Sequence, residues 1–266
     1  MFKKITSGMA PVLLILAILI LAAAVVRMYT MTRDMRKTID DIAAHQRQTA
    51  ASATYRSQQF ELQVAREDTA RFVNANLLAV KTFYNRNDLL TFCVKQAEAK
   101  GNGLFCEFGV FMGESINHIA SNTKATIHGF DSFEGLPEKW REGFEKGAFQ
   151  INGLPKVREN VVLHKGWFDK SVPEFAAENP GSMAFMHMDA DLYSSTKTVF
   201  DLLEKRIVPG TVIDFDEYLG YPGWQNGEFK AFQELVQKRG LKFDYIGRVP
   251  NYNQVAVQIT AIGVLK

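Results

Sequence analysis

Apolar residues fill Ala10 to Val26 without a break, reading APVLLILAILILAAAVV, and nothing ionisable occurs from Ile5 to Val26. At about 1.5 Å per residue, a helix over this run matches the roughly 30 Å hydrocarbon core of a bilayer. The pattern predicts a transmembrane helix over 9–29 behind a short tail, 1–8. A cleaved signal peptide competes with that reading, because Lys3 and Lys4 form a basic start and Ala22, Ala23 and Ala24 offer small residues. Arg27, Arg33, Arg36 and Lys37 outnumber Lys3 and Lys4, a slight bias toward a cytoplasmic C-terminal side.

Beyond the span the apolar positions thin out. Met28, Met31, Met35, Ile39 and Ile42 recur at spacings of three and four, which makes one seam on a helix. The seam dissolves at Gln46, Thr49 and Ala53, yet neither Pro nor Gly occurs between Pro11 and Gly101. A helical stalk is predicted over 30–74, either a solvated single helix or a short coiled coil that pairs two copies. Apolar density rises again from Phe72, so a globular domain is expected over 75–266.

After Lys100 the punctuation changes, with Gly and Pro at regular intervals. Strands are predicted at Leu104 to Phe108, Thr126 to Phe130, Val161 to His164, Met183 to Met188, Thr211 to Phe215, Lys242 to Ile246 and Gln254 to Ile259. Helical patterns intervene at Ser115 to Ser121, Val172 to Glu178, Thr196 to Arg206 and Glu228 to Arg239. The alternation implies an α/β fold built on a mostly parallel sheet, with ligands at the carboxyl ends of its strands.

Charge and cysteine content narrow the function classes. Thirty-one Lys and Arg against 29 Asp and Glu give a formal net charge of +2, which disfavours a nucleic-acid partner held through phosphate neutralisation. Cys93 and Cys106 form no C-x-x-C, so a disulfide scaffold, a zinc ribbon and a redox motif are all excluded. There is no P-loop lysine motif, which disfavours phosphate chemistry, and the missing G-x-G-x-x-G, with the carboxylates at strands four and five, argues against a nicotinamide dehydrogenase.

Chemistry gathers at the predicted strand ends. Gly109 and Gly113 stand four apart at the first strand-to-helix turn, where backbone can approach a ligand, although a tight turn without a ligand has the same composition. Asp131, ending the second strand, lies at the distance from that turn expected of a carboxylate that accepts from a ribose diol; an N-cap role is the alternative. The fourth strand runs into Asp189-Ala190-Asp191 and the fifth into Asp216-Glu217. Adjacent parallel strands would bring Asp189, Asp216 and Glu217 to one sheet edge. Such carboxylates repel unless a cation sits among them, and all-oxygen ligands suit Mg²⁺. Capping by Asp191 and Asp216 is the competing reading.

These residues carry a resemblance. EFGVFMGES, GFDSFEGLPEKW, HKGWFDKSVPEF, HMDADLYSSTKTV, PGTVIDFDEY and GEFKAF resemble, in that order, the macrocin O-methyltransferase family of class I enzymes dependent on S-adenosylmethionine (SAM). The likeness runs from about Phe72 to Ile259 and leaves the first 70 or so residues uncovered. It implies a Rossmann-like class I methyltransferase sheet. It also implies that Glu107, Gly109 and Gly113 form the SAM-binding turn, with Ser115 opening the next helix. Asp131, with Ser132 beside it, would hold the ribose, and Gly166 and Trp167 would flank the adenine. Asp189, Asp216 and Glu217 match the metal carboxylates and Asp191 the general base. Many sugar-modifying relatives have Asp-Asp-Tyr where this chain has Asp216-Glu217-Tyr218, so the third metal contact carries an extra methylene.

The expected function is therefore a single-pass, membrane-anchored, Mg²⁺-dependent SAM O-methyltransferase. Its acceptor would be a hydroxyl of a sugar, a glycoconjugate or a related small or lipid-linked molecule, and its catalytic domain would face the cytoplasm. The alternative is a non-catalytic membrane adaptor that keeps the fold for binding and assembly, with the stalk pairing copies. Of the remaining residues, His118 is expected to pack or to lie at the surface, His187 to be a core histidine with its polar atoms satisfied, and His128 and His164 are given no role. Tyr221, Trp224 and Glu228 fall on a loop that could cover the acceptor, with packing the other reading of Trp224. Glu138 to Lys156, with Gly143, Gly147 and Gly153, reads as a mobile lid.

Overall fold

A computed structural model describes residues 9–101, 103–250 and 253–263. The expected tail, 1–8, with Lys3 and Lys4, lies outside the described residues. The chain divides into two compact units, Met1–Phe60 and Glu61–Lys266.

The first unit is the greater part of one helix, α1 (Met9–Asn76). An 18-residue window within it reaches a mean hydropathy of 2.7, long and apolar enough to cross a membrane. Its leucines and isoleucines, and the seam residues Met28, Met31, Met35, Ile39 and Ile42, are all exposed.

In the second unit, seven strands form one sheet in the order β3-β2-β1-β4-β5-β7-β6. Its strands are β1 (Leu104–Phe108), β2 (Ile127–Asp131), β3 (Val161–Lys165), β4 (Met183–Met188), β5 (Val212–Phe215), β6 (Leu241–Arg248) and β7 (Val255–Ile262). The first five run parallel; β7 enters antiparallel between β5 and β6. The topological switch point lies between β1 and β4, so their carboxyl ends open a crevice. β4, reading MAFMHM, is buried at every position, as expected of a central strand covered on both faces.

Alternation along the strands sends side chains to two cores. Phe108, Phe130, Met186, Met188 and Phe215 pack with residues from α4 (Phe168–Glu178), α5 (Tyr193–Leu203) and α6 (Glu228–Arg239). Phe105, Ile127, Phe185 and Val212 pack under α2 (Arg86–Glu98) and α3 (Glu114–Ser121). The last turns of α1 also belong here. Phe72 meets Trp224 and Phe229 edge-on at 5.3 and 5.5 Å, so the compact unit starts at Glu61 rather than near residue 75. Helix starts also differ from the sequence pattern. α4 begins four residues earlier than the apolar spacing implies, and α5 ends at Leu203 with a single 3-10 turn, Glu204–Arg206, after it.

On β2 and β3, His128 Nδ1 lies 3.0 Å from His164 Nε2. Burial, and secondarily the charge of His164, push His128 down to about 4, and burial lowers His164 too. An unfolded chain titrates these rings near 6.5 and therefore binds more protons between about pH 6.5 and 4. Stability that the neutral pair contributes is thus present above that window and lost as pH falls through it. Thermal melts of His128→Gln against wild type should diverge by about 1 kcal/mol between pH 7 and 5, a value discounted for the half-exposed ring. Parallel melting curves across that range refute the assignment.

Candidate active site

The turn after β1 is bound to both neighbouring strands. Gly109 N–H donates to the Phe130 carbonyl at 2.9 Å, and Asp189 N–H donates to the Phe108 carbonyl at 2.9 Å. Gly109 has φ +99°, and a Cβ there would lie 1.7 Å from the Asp189 carbonyl oxygen. Only glycine fits so close an approach. Asp131 Oδ2 accepts from the N–H groups of Val110 and Phe111 at 2.8 Å each, and Oδ1 accepts from Phe133 N–H at 2.7 Å. Three of roughly four acceptor sites are taken, so the carboxylate is oriented by backbone and keeps one site for a ligand hydroxyl.

These strand ends border a cavity of about 830 Å³. Gly109, Asp131, Ser132, Gly166 and Trp167 line one part of it, and Asp189, Asp191, Asp216 and Glu217 line another. The other three expected cofactor residues, Glu107, Gly113 and Ser115, are not among its lining. Glu107 alternates into the α2 side of the sheet and is fully buried. Gly113 is the N-cap of α3, with φ +82°, and the helix starts at Glu114 rather than at Ser115. Among the described residues, the four non-glycine residues with positive φ stand beside the cavity or one residue from its lining: Phe111, Phe133, Phe149 and Asp191. Left-handed backbone at a large side chain is strained, and such strain gathers where a site holds it.

The Glu138 to Lys156 segment is an ordered cover. Leu136 and Gly147–Ala148 exchange backbone hydrogen bonds of 2.8 and 2.9 Å, and Arg141 bridges to Phe144. Ser194 Oγ donates to Glu138 Oε1 at 2.6 Å, which ties the cover to α5. Trp140, Arg141, Phe144 and Phe149 present an aromatic and cationic wall to the cavity. Trp224, in contrast, is buried against Phe72 and Phe229 and takes the packing role.

The carboxylates meet where β4 and β5 end. Asp189, Asp191 and Glu217 each place an oxygen within 4.8 Å of the other two. Glu217 is buried, and its Oε2 has no partner. Asp216 forms a second grouping with Asp189 and His187, their ligand atoms within 4.8 Å of one another, and its Oδ1 also lies 2.8 Å from Arg86 Nε and accepts from Gln254 Nε2 at 3.2 Å. Arg86 NH2 also contacts Asp189 Oδ2 at 2.6 Å. The expected convergence of Asp189, Asp216 and Glu217 is thus modified, because a guanidinium already lies between Asp189 and Asp216.

Residues 106–218 match a family model described as a methyltransferase domain. Over those residues the chain is similar to a methyltransferase domain. A curated relative from Streptomyces olivaceus, 8-demethyl-8-(2,3-dimethoxy-alpha-L-rhamnosyl)-tetracenomycin-C 4'-O-methyltransferase, is 30% identical over 159 residues, which cover 50% of this chain and 60% of the relative. Among solved structures, the calicheamicin methyltransferase CalS11 superposes with a TM-score of 0.52 at 22% identity, over 76% of this chain and 92% of its own. The O-methyltransferase NovP gives 0.50 at 21% identity, over 66% and 79%. At those identities the two structures bear on the fold alone. Family and fold agree with the resemblance read from the motif blocks.

The electrostatics of the acidic cluster follow from burial. Burial, then the charge of Asp216, raises Asp189 to about 7 against the pull of Arg86. Burial, then Asp189 and Asp216, raises Asp191 to about 8, with Arg141 opposing. Burial and the neighbouring carboxylates push Glu217 well above its ordinary range. Asp216 alone is held low: burial acts against it, but His187 and Arg86 outweigh burial.

Beneath the cluster, Glu107, His187 and Asp214 sit side by side in strand register. His187 Nδ1 is 2.7 Å from Glu107 Oε1. Burial lowers this imidazole, but the carboxylates of Asp216 and Glu107 prevail and raise it to about 10. His187 is therefore a buried core histidine held through Nδ1 by Glu107 under the site, in keeping with the sequence reading. Glu228, expected on a loop that could cover the acceptor, instead braces the site from beneath. Its Oε1 accepts from Ala190 N–H at 3.2 Å and its Oε2 from Glu217 N–H at 3.3 Å, so it fastens the two acidic loops together. It is the first residue of α6, and a bond spanning 38 residues to Ala190 has no local signal. Arg86 offered a signal: a basic residue at the first position of a helix opposes the dipole and implies acidic partners from elsewhere.

Proposed function

We propose that this chain is a membrane-anchored, Mg²⁺-dependent SAM O-methyltransferase that methylates a hydroxyl of a sugar or glycoconjugate. The observation that carries the reading is the convergence of Asp189, Asp191 and Glu217 on a cavity that Gly109 and Asp131 also border. At about 830 Å³ the cavity has the size of a site for a nucleoside-sized donor plus part of an acceptor. The curated relative, named as a 4'-O-methyltransferase of a rhamnosyl tetracenomycin, supports a sugar-type acceptor.

The residues suit the donor and the ion. Asp131, fixed by three backbone N–H groups, offers its remaining acceptor site to a ribose hydroxyl. Trp167, partly exposed ahead of α4, supplies a face for a purine. The acidic donor set is all oxygen, and the unpartnered Glu217 Oε2 is a buried acceptor that a cation would satisfy. Asp189, Asp216 and Glu217 would hold Mg²⁺, and Asp191 would accept the proton of the acceptor hydroxyl. A bound Mg²⁺ supplies Lewis acidity, which lowers the pKa of a hydroxyl and fixes its position. Glu228 sets the spacing of the two loops, and the Glu138 to Lys156 cover excludes water.

The exposed apolar face of α1 supports anchoring, and Met28 to Ile42 offers a seam for a second copy. Because SAM is made in the cytosol, the domain would face that side. Titration of SAM into the full chain in detergent tests the reading. Saturable binding that the chelator EDTA leaves intact, with methyl transfer that EDTA abolishes, is the expected result. No SAM binding defeats the enzyme assignment.

A further inference from the structure

The geometry points to Arg86 as a resident cation of the acidic cluster, one that a divalent ion must displace before it can take Asp189 and Asp216. This rests on the proposed metal reading and adds to it a residue that sets the ion's affinity.

The chain supplies Arg86 at real cost. It is the first residue of α2, after the N-cap Asn85, where the helix already presents partial positive charge. A cation at that end is unfavourable unless carboxylates answer it. Two do, from two different strand ends: NH2 reaches Asp189 Oδ2 at 2.6 Å and Nε reaches Asp216 Oδ1 at 2.8 Å. Only the NH2 contact has hydrogen-bond geometry, and Nε approaches Asp216 as a close ion pair, so one guanidinium is charge-paired with both carboxylates.

Asp189 is the shared member of two groupings. Its Oδ2 answers Arg86, and one of its oxygens also lies within 4.8 Å of Asp191 and Glu217. Glu217 is more than nine-tenths buried and keeps Oε2 unpartnered. One guanidinium thus serves Asp189 and Asp216, while Asp191 and Glu217 have no cation in contact. A divalent ion beside Asp189 and a guanidinium on the same carboxylate repel strongly in a partly buried site. The two are therefore alternatives. Arg86 keeps 35% of its side chain exposed, which leaves it a path away from the cluster toward solvent. With Arg86 in place the cluster persists without metal; with Arg86 withdrawn, Asp189 and Asp216 are free to turn to the ion and Asp191 is left for the proton.

The test is Mn²⁺ titration by calorimetry on the full chain in detergent, with wild type, Arg86→Gln and Arg86→Lys, and with SAM binding measured on each as a check of folding. Arg86→Gln should bind Mn²⁺ at least about tenfold more tightly than wild type, because it leaves buried carboxylates uncompensated. Its melting temperature should be lower without metal and should rise further on adding Mn²⁺ than that of wild type. Arg86→Lys, which keeps the charge but loses the fork, should fall between them. Equal or weaker Mn²⁺ binding by Arg86→Gln, with SAM binding intact and wild type binding the ion, overturns the competition and leaves the metal reading standing. No Mn²⁺ binding by any of the three proteins, again with SAM bound, overturns the metal reading and the competition with it.

Discussion

Gly109→Ala is expected to lower the melting temperature by roughly 10 °C and to abolish SAM binding, the largest effect of any single methyl in this domain. The added Cβ would sit 1.7 Å from the carbonyl oxygen of Asp189, far inside contact distance, and the residue's φ of +99° is one that L side chains rarely adopt. No flexible side chain can yield, because the obstacle is backbone. Relief therefore requires the β1 turn and the β4 end to part. That breaks the 2.9 Å bond from Asp189 N–H to the Phe108 carbonyl and carries Asp189 and Asp191 away from Glu217. Gly113→Ala is the control. Its φ is also positive, at +82°, but the new Cβ meets side chains alone, the Pro155 ring at 3.3 Å and Asn117 Nδ2 at 3.6 Å, so its loss should be no more than about a third as large. Circular dichroism melts of the two variants decide the matter, and a Gly109→Ala protein that melts within about 2 °C of wild type defeats the account.

The contrast between those two glycines shows what sequence reading reaches. Both were visible as a turn, but only the pairing of β1 with β4 shows that Gly109 touches Asp189 and Gly113 does not. Local pattern was sufficient for the sheet: period-two alternation and the continuous apolar run of β4 place every strand within a few residues. It was also sufficient for the acids that end β4 and β5, since parallel neighbours bring their ends together. Contacts set by distant segments were not legible. Arg86 lies 103 residues from Asp189, and no local spacing connects them. Phe72 reads as stalk until Trp224 and Phe229 are folded onto it. Glu107 looked like part of the ligand turn, whereas strand alternation buries it against His187 on the α2 side. Glycines mark the cover in the sequence, but the hydrogen bonds that close it, between Leu136 and residues 147 and 148, were not legible.

Asp191→Asn should reduce kcat by about 10²- to 10⁴-fold while SAM affinity stays within a few fold of wild type. Asp191 has φ 59°, a left-handed conformation that Asn tolerates nearly as well as Asp, so the substitution leaves the loop intact and removes only the basic oxygen. The wild-type carboxyl is raised to about 8, first by burial and then by Asp189 and Asp216. A group raised above its ordinary value holds its proton at neutral pH, and a proton acceptor must be ionised to act. The rate should therefore climb with pH through the folded pKa and level off above it, while Asp191→Asn shows a flat, low profile. A cation that compensates Asp189 and Glu217 removes part of the repulsion that raises Asp191, so added Mg²⁺ should move the midpoint of the climb to lower pH. The same shift has a stability consequence of defined sign. Between about pH 4 and 8 the folded state binds more protons at this carboxyl than the unfolded chain does, so its contribution to stability declines as pH rises through that range. A pH series of kcat/KM on the two proteins, paired with SAM titrations, separates the roles. An Asp191→Asn enzyme within threefold of wild type, with the same rising limb, assigns the proton to another group.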